Sequence, residues 1–426
     1  MSQQHALRDL RRDLHRHPEP AWCEFYTTAR VVEACRRVGV DELHVGPDAV
    51  ASDARMAVPD DETLAEWRER ALADGADPDL VDEMAGGHTG AVAVLERGDG
   101  PTVALRVDID ALHITESDGD DHEPAREGFR SEHEGYMHAC GHDGHAAIGV
   151  GVLEAVADSD FAGTFKVVFQ PAEERVGGGK AVAVSGHLDD VDYLYAVHLG
   201  LDHSTGEVVA GVGGFLAVSH VLAAFEGESA HAGAHPEDGR NAVQAMATAV
   251  QNLYAIPRHD DGATRVNAGR VGGGTATNIV PEDAFVEGEV RGETTDLMRY
   301  MKEKAERVLR SAADMHECDV ELSTEGEAPS ARSDQALVDA FAAEAGEHPD
   351  VDTVLERDAL GGSEDATYLM NRVQETGGLA SYVCVGTDHP GGHHTPTFDV
   401  DERSIRIGVD SLTDAVLRVA AERPGE

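Results

Sequence analysis

Thr164-Phe-Lys-Val-Val-Phe-Gln170-Pro-Ala-Glu-Glu174 decides the fold. The apolar run 164–169 has the length and the β-branched, aromatic content of a buried strand, and it stops at a proline followed by two carboxylates. Three other short apolar runs end in similar fashion. Residues 102–107 run into Asp108-Ile-Asp110 and residues 193–197 into His198. Residues 381–385 lead through Thr387-Asp-His389 to His393-His-Thr-Pro396. Strands that alternate with helical stretches make an α/β sheet, and ligands collect at the carboxyl ends of its strands. The expected core is a mixed, mainly parallel sheet with helices on both faces.

Outward from this core, residues 5–37 have helical spacing broken at His17-Pro18, and 60–86 read as a helical insertion. The strands 91–95 and 102–107 are joined by Gly98-Asp-Gly100, which predicts a hairpin. A helix follows over 143–156. The texture changes near Val218. Strand 218–225, helix 241–253, strands 264–270 and 284–291, helix 296–312 and strand 319–323 form a compact α+β insertion of ferredoxin-like type. The α/β pattern then resumes with helices 334–345 and 363–370, strand 381–385 and helix 403–421. The expected division is a catalytic domain over 1–216 and 329–426, interrupted by a lid or dimerisation domain over 217–328.

The 426 residues include 34 Lys and Arg against 81 Asp and Glu, a net charge of −47. Such a surface repels nucleic-acid phosphates and anionic lipid, so neither is an expected partner. The lysines are Lys166, Lys180, Lys302 and Lys304. Acid excess with so little lysine suits a surface that holds water in concentrated salt, where screening removes self-repulsion. No signal-peptide pattern and no membrane-length apolar run is visible, and the five cysteines are scattered. The expectation is a halophilic cytoplasmic protein.

Chemistry concentrates in His138-Ala-Cys140-Gly-His142-Asp-Gly-His145, which feeds directly into a helix. A thiolate there is favoured by the helix dipole and by a neighbouring metal. A Cys–His pair of thiol-hydrolase type is the alternative, but the acids at 173 and 174 suit a cation better. Cys140, His142, Glu174, His198 and His394 make five candidate donors. Mononuclear catalytic zinc uses three, so five fit a pair of metals. Glu173, beside a donor but spare, is the natural general base.

These motifs, with His231-Ala-Gly-Ala-His-Pro-Glu-Asp-Gly239 and Gly362-Ser-Glu-Asp-Ala366, resemble the amidohydrolase branch of the zinc exopeptidase clan. That branch contains hippurate hydrolases, auxin-conjugate hydrolases and acetyl-diaminopimelate deacetylases. Within it, the stretch 52–64 (Ser-Asp-Ala-Arg-Met-Ala-Val-Pro-Asp-Asp-Glu-Thr-Leu), Arg126-Glu-Gly-Phe-Arg130 and the stretch 386–394 are most similar to the aminobenzoyl-glutamate hydrolase group. The resemblance implies two divalent ions per subunit, zinc or manganese, held by the five donors, with Glu173 as general base. It implies a homodimer paired through the lid, or a related second subunit.

By the same resemblance, His231 polarises the scissile carbonyl, while Asn278 and Arg291 hold a substrate carboxylate. The bland reading of Arg291 is a cation solvating a strand end. Asp110 is expected to orient a ligating histidine, and Asp143 to do the same or cap its helix. His15, His17, His122 and His133 are given no role. The Gly-rich run ending at Lys180 lacks the spacing of a phosphate loop.

The reaction expected is hydrolysis of an N-acyl or N-aroyl amino acid, with p-aminobenzoyl-glutamate as the leading substrate. The alternatives are a generic N-acyl-amino-acid deacylase and a non-catalytic structural subunit. The charge yields a first test. As salt falls from 1 M to 0.01 M the Debye length grows from about 3 Å to about 30 Å, so the melting temperature should fall. A flat melting temperature across that range contradicts the halophilic reading.

Overall fold

The structure, a computed structural model, describes residues 3–389 and 391–425. Pro390, within the stretch 386–394, lies outside them. The chain divides into two compact units. One comprises Met1–Gly214, Ala331–Leu360 and Asp365–Glu426; the other comprises Phe215–Ser330 and Gly361–Glu364.

The first unit is built on an eight-stranded sheet. Its order is Glu42–Val45, Ala91–Glu96, Thr164–Gln170, Thr102–Asp108, Tyr193–Leu199, Leu379–Val385, Glu207–Val209 and Thr353–Leu355. The four strands from Thr164–Gln170 to Leu379–Val385 are mutually parallel neighbours. Their carboxyl ends therefore share one edge. All four are buried along nearly their whole length, which explains their unbroken apolar runs: each faces packed side chains above and below.

Helix His142–Ala157 lies on Thr102–Asp108 and Thr164–Gln170, with Gln3–Arg16, Phe25–Val38 and Glu402–Glu422 packed around it. Gly149 permits this approach, since a Cβ there would meet Val107 Cγ2 at 2.9 Å. Helices Gly179–Ala183 and Ala366–Glu375 form a second group, the latter on Leu379–Val385.

The expected hairpin is corrected. Ala91–Glu96 and Thr102–Asp108 do not pair with each other; Thr164–Gln170 lies between them, antiparallel to the first and parallel to the second. The Gly98 turn reverses the chain, but a fully buried strand needs partners on both sides, and it takes both. The short strands Glu42–Val45, at one edge, and Glu207–Val209, second from the other, have no apolar alternation long enough to read.

The second unit has its own core, including Phe225, Val286, Met298, Met301 and Leu309. Its antiparallel sheet runs Thr264–Gly273, Asp283–Gly292, Ala217–Glu226, Asp319–Ala328. Helices Ala242–Leu253 and Thr295–Met315 complete a ferredoxin-like β-α-β-β-α-β order. The longer helix buries Leu297, Met301, Ala305, Leu309 and Ala312 at helical spacing, and the Thr294 side chain caps it by accepting from the Leu297 N–H.

A buried network ties the N-terminal helix to the start of His142–Ala157. Arg11 Nε lies 2.8 Å from Asp143 Oδ2, and Arg11 Nη2 donates to Asp399 at 2.5 Å. His15 bonds Asp143 through Nδ1 at 2.8 Å and Glu116 through Nε2 at 2.9 Å. His122 shares Glu116 at 2.7 Å. His15, His122 and His133 are thus core groups rather than surface ones.

Burial and Arg11 oppose a charge on His15, but Asp143 and Glu116 outweigh both and raise its pKa to about 9. His138, whose ring centroid is 6.4 Å away, is lowered to about 3 by burial and stays neutral. His15 therefore contributes stability in full below its unfolded value of 6.5, and that contribution is lost as pH rises through 9. Replacing His15 with Gln should remove a contribution on the order of 3 kcal/mol. The wild-type advantage in denaturant titrations should shrink between pH 6.5 and 9; an advantage independent of pH contradicts the assignment.

Candidate active site

The shared edge of the four parallel strands receives Asp108 and Asp110 from one strand end, Glu173 and Glu174 beyond the next, and His198 from a third. Gly141, at φ +88, turns the chain into helix His142–Ala157 and sets Cys140 and His142 on either side of that turn. Ala172, at φ +58, makes the corresponding turn before the two glutamates. Its N–H donates to Glu24 Oε1 at 2.8 Å, and Glu24 also accepts from Thr89 Oγ1 at 2.5 Å.

Asp110 then fixes the pair by accepting the Glu173 N–H at 3.1 Å and the Glu174 N–H at 3.0 Å. It also lies 3.3 Å from His142 Nδ1. Its hydrogen bonds in the structure go to the two glutamate N–H groups, a role the sequence did not suggest. Asp143 does not orient a ligand. Its carboxylate is taken by Arg11, His15 and its neighbour's Gly144 N–H, so it anchors the helix start instead.

The donor atoms of Cys140, His142 and His198 lie within 4.8 Å of one another; so do those of Cys140, Glu174 and His394, and those of His142, Glu173 and Glu174. Cys140 belongs to the first two groups. His198 Nδ1 donates to the Leu199 carbonyl at 2.7 Å, which leaves the Nε2 lone pair facing Cys140 Sγ at 3.5 Å. Cys140 thus meets His198 at hydrogen-bond range, not the His142 of a thiol-hydrolase pair. His394, at φ +59, is held by its N–H on the Ala139 carbonyl at 2.8 Å, and its Nε2 is 3.6 Å from Glu174 Oε2.

Sequence reasoning left Asp108 and His145 without roles. A further group joins them to His142, but His145 has no free nitrogen. Its Nδ1 meets Asp108 at 2.5 Å and its Nε2 accepts the Leu199 N–H at 2.8 Å. Its spacing of three from His142, on one helix face, was the available signal. Asp365, from the 362–366 motif, accepts from Gln170 and from the Gly178 and Gly179 N–H groups. Those amides are therefore spent, in keeping with the rejected phosphate loop.

The electrostatics call for a cation. Both ring nitrogens of His142 and Glu174 Oε1 are buried without a hydrogen-bond partner. Burial lifts the Glu174 carboxyl to about 8. Burial also opposes charge on His142, yet Asp108, Asp110 and Glu174 raise it to about 10. Arg106 answers Asp108, whereas Asp110 and Glu174 meet no guanidinium among the described residues. Sulfur, imidazole and carboxylate donors converging on orphaned atoms fit a borderline divalent metal.

In the second unit, His231 Nδ1 accepts the Gly233 and Ala234 N–H groups, both at 3.1 Å. The proton is therefore on Nε2, which makes the exposed ring a ready donor. Asn278 is brought beside it, its carbonyl accepting the Ala232 N–H at 3.0 Å. Arg291 is not brought to them. It lies in the four-stranded sheet opposite Val218 and Arg265, and bonds Glu289 in bidentate fashion at 2.9 Å twice.

Residues 104–418 match the family described as Peptidase family M20/M25/M40. The chain is a member of that family and a metal-dependent hydrolase. It is 45% identical over 418 residues to the indole-3-acetyl-aspartic acid hydrolase of Enterobacter agglomerans, covering 97% of this chain and 95% of the relative. It is 41% identical over 415 residues to a p-aminobenzoyl-glutamate hydrolase subunit of Escherichia coli K12, covering 96% and 95%. The crystal structure of an aminobenzoyl-glutamate utilization protein from Klebsiella pneumoniae superposes with a TM-score of 0.83 at 38% identity, covering 97% and 96%.

A metal bound only by the folded chain stabilises it. Stripping divalent ions with a chelator should lower the melting temperature by roughly 5 °C or more, and restoring them should reverse the loss. A melting temperature indifferent to chelation contradicts the metal assignment.

Proposed function

We propose that this protein hydrolyses the amide bond of N-acyl or N-aroyl amino acids, with p-aminobenzoyl-glutamate as the leading substrate. The observation that carries the reading is the pair of overlapping donor groups sharing Cys140, with Glu173 beside them. In this reading Cys140, His142, Glu174, His198 and His394 would hold two divalent ions, zinc or manganese, a reading supported by the two donor groups in which Cys140 recurs. The ions supply Lewis-acid polarisation of the amide and activation of water.

Glu173 takes a proton from the attacking water and passes it to the leaving amide nitrogen. Asp110, by gripping both backbone N–H groups, keeps that carboxylate in register with its neighbour Glu174. His231, protonated on Nε2, donates to the oxygen that becomes negative as the carbonyl is attacked. The substrate carboxylate is held by Asn278 or by Arg291, which lie apart in the second unit; Arg291 must exchange or share Glu289 to do so.

The names of the two relatives support an aromatic acyl group on an acidic amino acid. The setting is a salt-rich cytoplasm, supported by the charge of −47. The assembly is a homodimer through the inserted unit, supported by the exposed edge strand Thr264–Gly273 of its sheet. A related second subunit is the alternative partner.

Glu173→Gln should lower turnover by about 10²–10⁴-fold while metal content stays at the wild-type level. Elemental analysis alongside amine release from p-aminobenzoyl-glutamate, hippurate and an acetyl-amino acid, all in molar salt, checks both halves. Normal turnover, or loss of metal in the variant, contradicts the role of Glu173.

A further inference from the structure

With 81 acidic residues against 34 basic ones, a basic side chain has more than two carboxylates available to it. Most arginines here take one. Beside the turn that follows Glu174 the pattern reverses: Arg55, Arg175 and Lys180 form no ion pair among the described residues.

Backbone hydrogen bonds bring together the segments that carry these three cations. The Met56 N–H donates to the Gly177 carbonyl at 3.3 Å and the Ala51 N–H to the Ala181 carbonyl at 3.0 Å, so residues 51–56 run beside 177–181. The Val176 N–H returns to the Glu173 carbonyl at 2.6 Å, which folds the intervening chain tightly. Even fully extended, three residues span at most about 11 Å, so Gly177 stays close to Glu174.

Arg55 is held stiffly. Its guanidinium lies 5.3 Å from the centroid of the Trp22 ring, and Nη1 donates to the Gly86 carbonyl at 2.8 Å. Nη2 makes no hydrogen bond among the described residues. Trp22 is fully buried and donates through Nε1 to the Met56 carbonyl at 2.7 Å. Gly177 keeps this arrangement possible, since a Cβ there would meet the Met56 carbonyl oxygen at 2.7 Å. Burial lowers the Arg55 pKa, with no carboxylate to offset it. Nε also donates, to the Ser52 carbonyl at 3.5 Å, so a half-buried guanidinium with one face stacked and only Nη2 unbonded is prepared for an anion.

We propose that Arg55, with Arg175 beside it, binds the side-chain carboxylate of a dicarboxylic amino acid in the substrate, and so selects aspartate or glutamate conjugates. The inference rests on the amidohydrolase reading and names the feature of its substrate that this chain recognises. A planar guanidinium and a carboxylate meet through two parallel hydrogen bonds, a geometry that lysine cannot reproduce. Arg175 and Lys180 add local positive charge where the surrounding surface would repel a dianion.

The test compares p-aminobenzoyl-glutamate with p-aminobenzoyl-norvaline, which lacks only the side-chain carboxylate. Hydrolysis and equilibrium binding are both measured on the metal-loaded wild type and on Arg55→Met, Arg55→Lys and Arg175→Met. Wild type should prefer the glutamate conjugate. Arg55→Met should cut that preference about ten- to a hundredfold, chiefly through KM, because a charged hydrogen-bonded contact is lost. Arg55→Lys should recover part of it.

If Arg55→Met fails to fold, the exposed Arg175→Met should still lower the preference. A wild type without preference, or folded variants that keep it in full, overturns the inference and leaves the amidohydrolase reading standing. Arg55-dependent binding of the glutamate conjugate without hydrolysis of either compound overturns the amidohydrolase reading and supports this one.

Discussion

Burying several carboxylates together is costly unless positive charge is buried with them. Asp108, Asp110 and Glu174 surround the fully buried His142, and Arg106 reaches only the first of them among the described residues. Without metal the balance falls to protons held on His142 and Glu174, whereas divalent ions between the carboxylates, Cys140 and the histidines would take their place. The parallel sheet delivers these groups because four neighbouring strands point their carboxyl ends the same way. A site of this kind requires that the carboxylates be held apart from any easier partner, and much of the surrounding structure does that.

Three buried acids outside the donor set act as braces. Glu24 holds the Ala172 turn, Asp365 ties Gln170 to the Gly178 and Gly179 amides, and Asp143 ties the helix start to Arg11 and His15. Each accepts several hydrogen bonds, which lets an ionised or polar carboxyl sit in the core without a metal. The braces come from distant parts of the chain, so the donor positions depend on the whole first unit rather than on a local motif. Preorganisation of this kind keeps donors from collapsing on one another.

The sequence made the chemistry legible where residue type and spacing coincide. Cys140, His142, Glu174 and His198 sit at a helix start or strand ends that local apolar runs announce. His394 was reached from the polar run after strand 381–385, though its position depends on a left-handed backbone and one hydrogen bond to Ala139. Strand pairing was not legible: the Gly98 turn signals reversal but cannot tell which strand will lie next to which. The roles of His15 and Asp143 were hidden for a related reason. Their contacts span more than a hundred residues, and no local pattern distinguishes a buried histidine between two acids from a surface one. Arg55 was visible only as part of the 52–64 stretch; its want of a carboxylate partner is a property of the folded chain.

The central proposal is that two cations bind at the strand edge, with Cys140 among their donors. Anomalous diffraction collected at a metal absorption edge from crystals grown with zinc or manganese addresses it most directly. The account predicts two peaks in the first unit, one between Cys140, His142 and His198 and one between Cys140, Glu174 and His394. A single peak, or peaks remote from Cys140 under saturating metal, would contradict it.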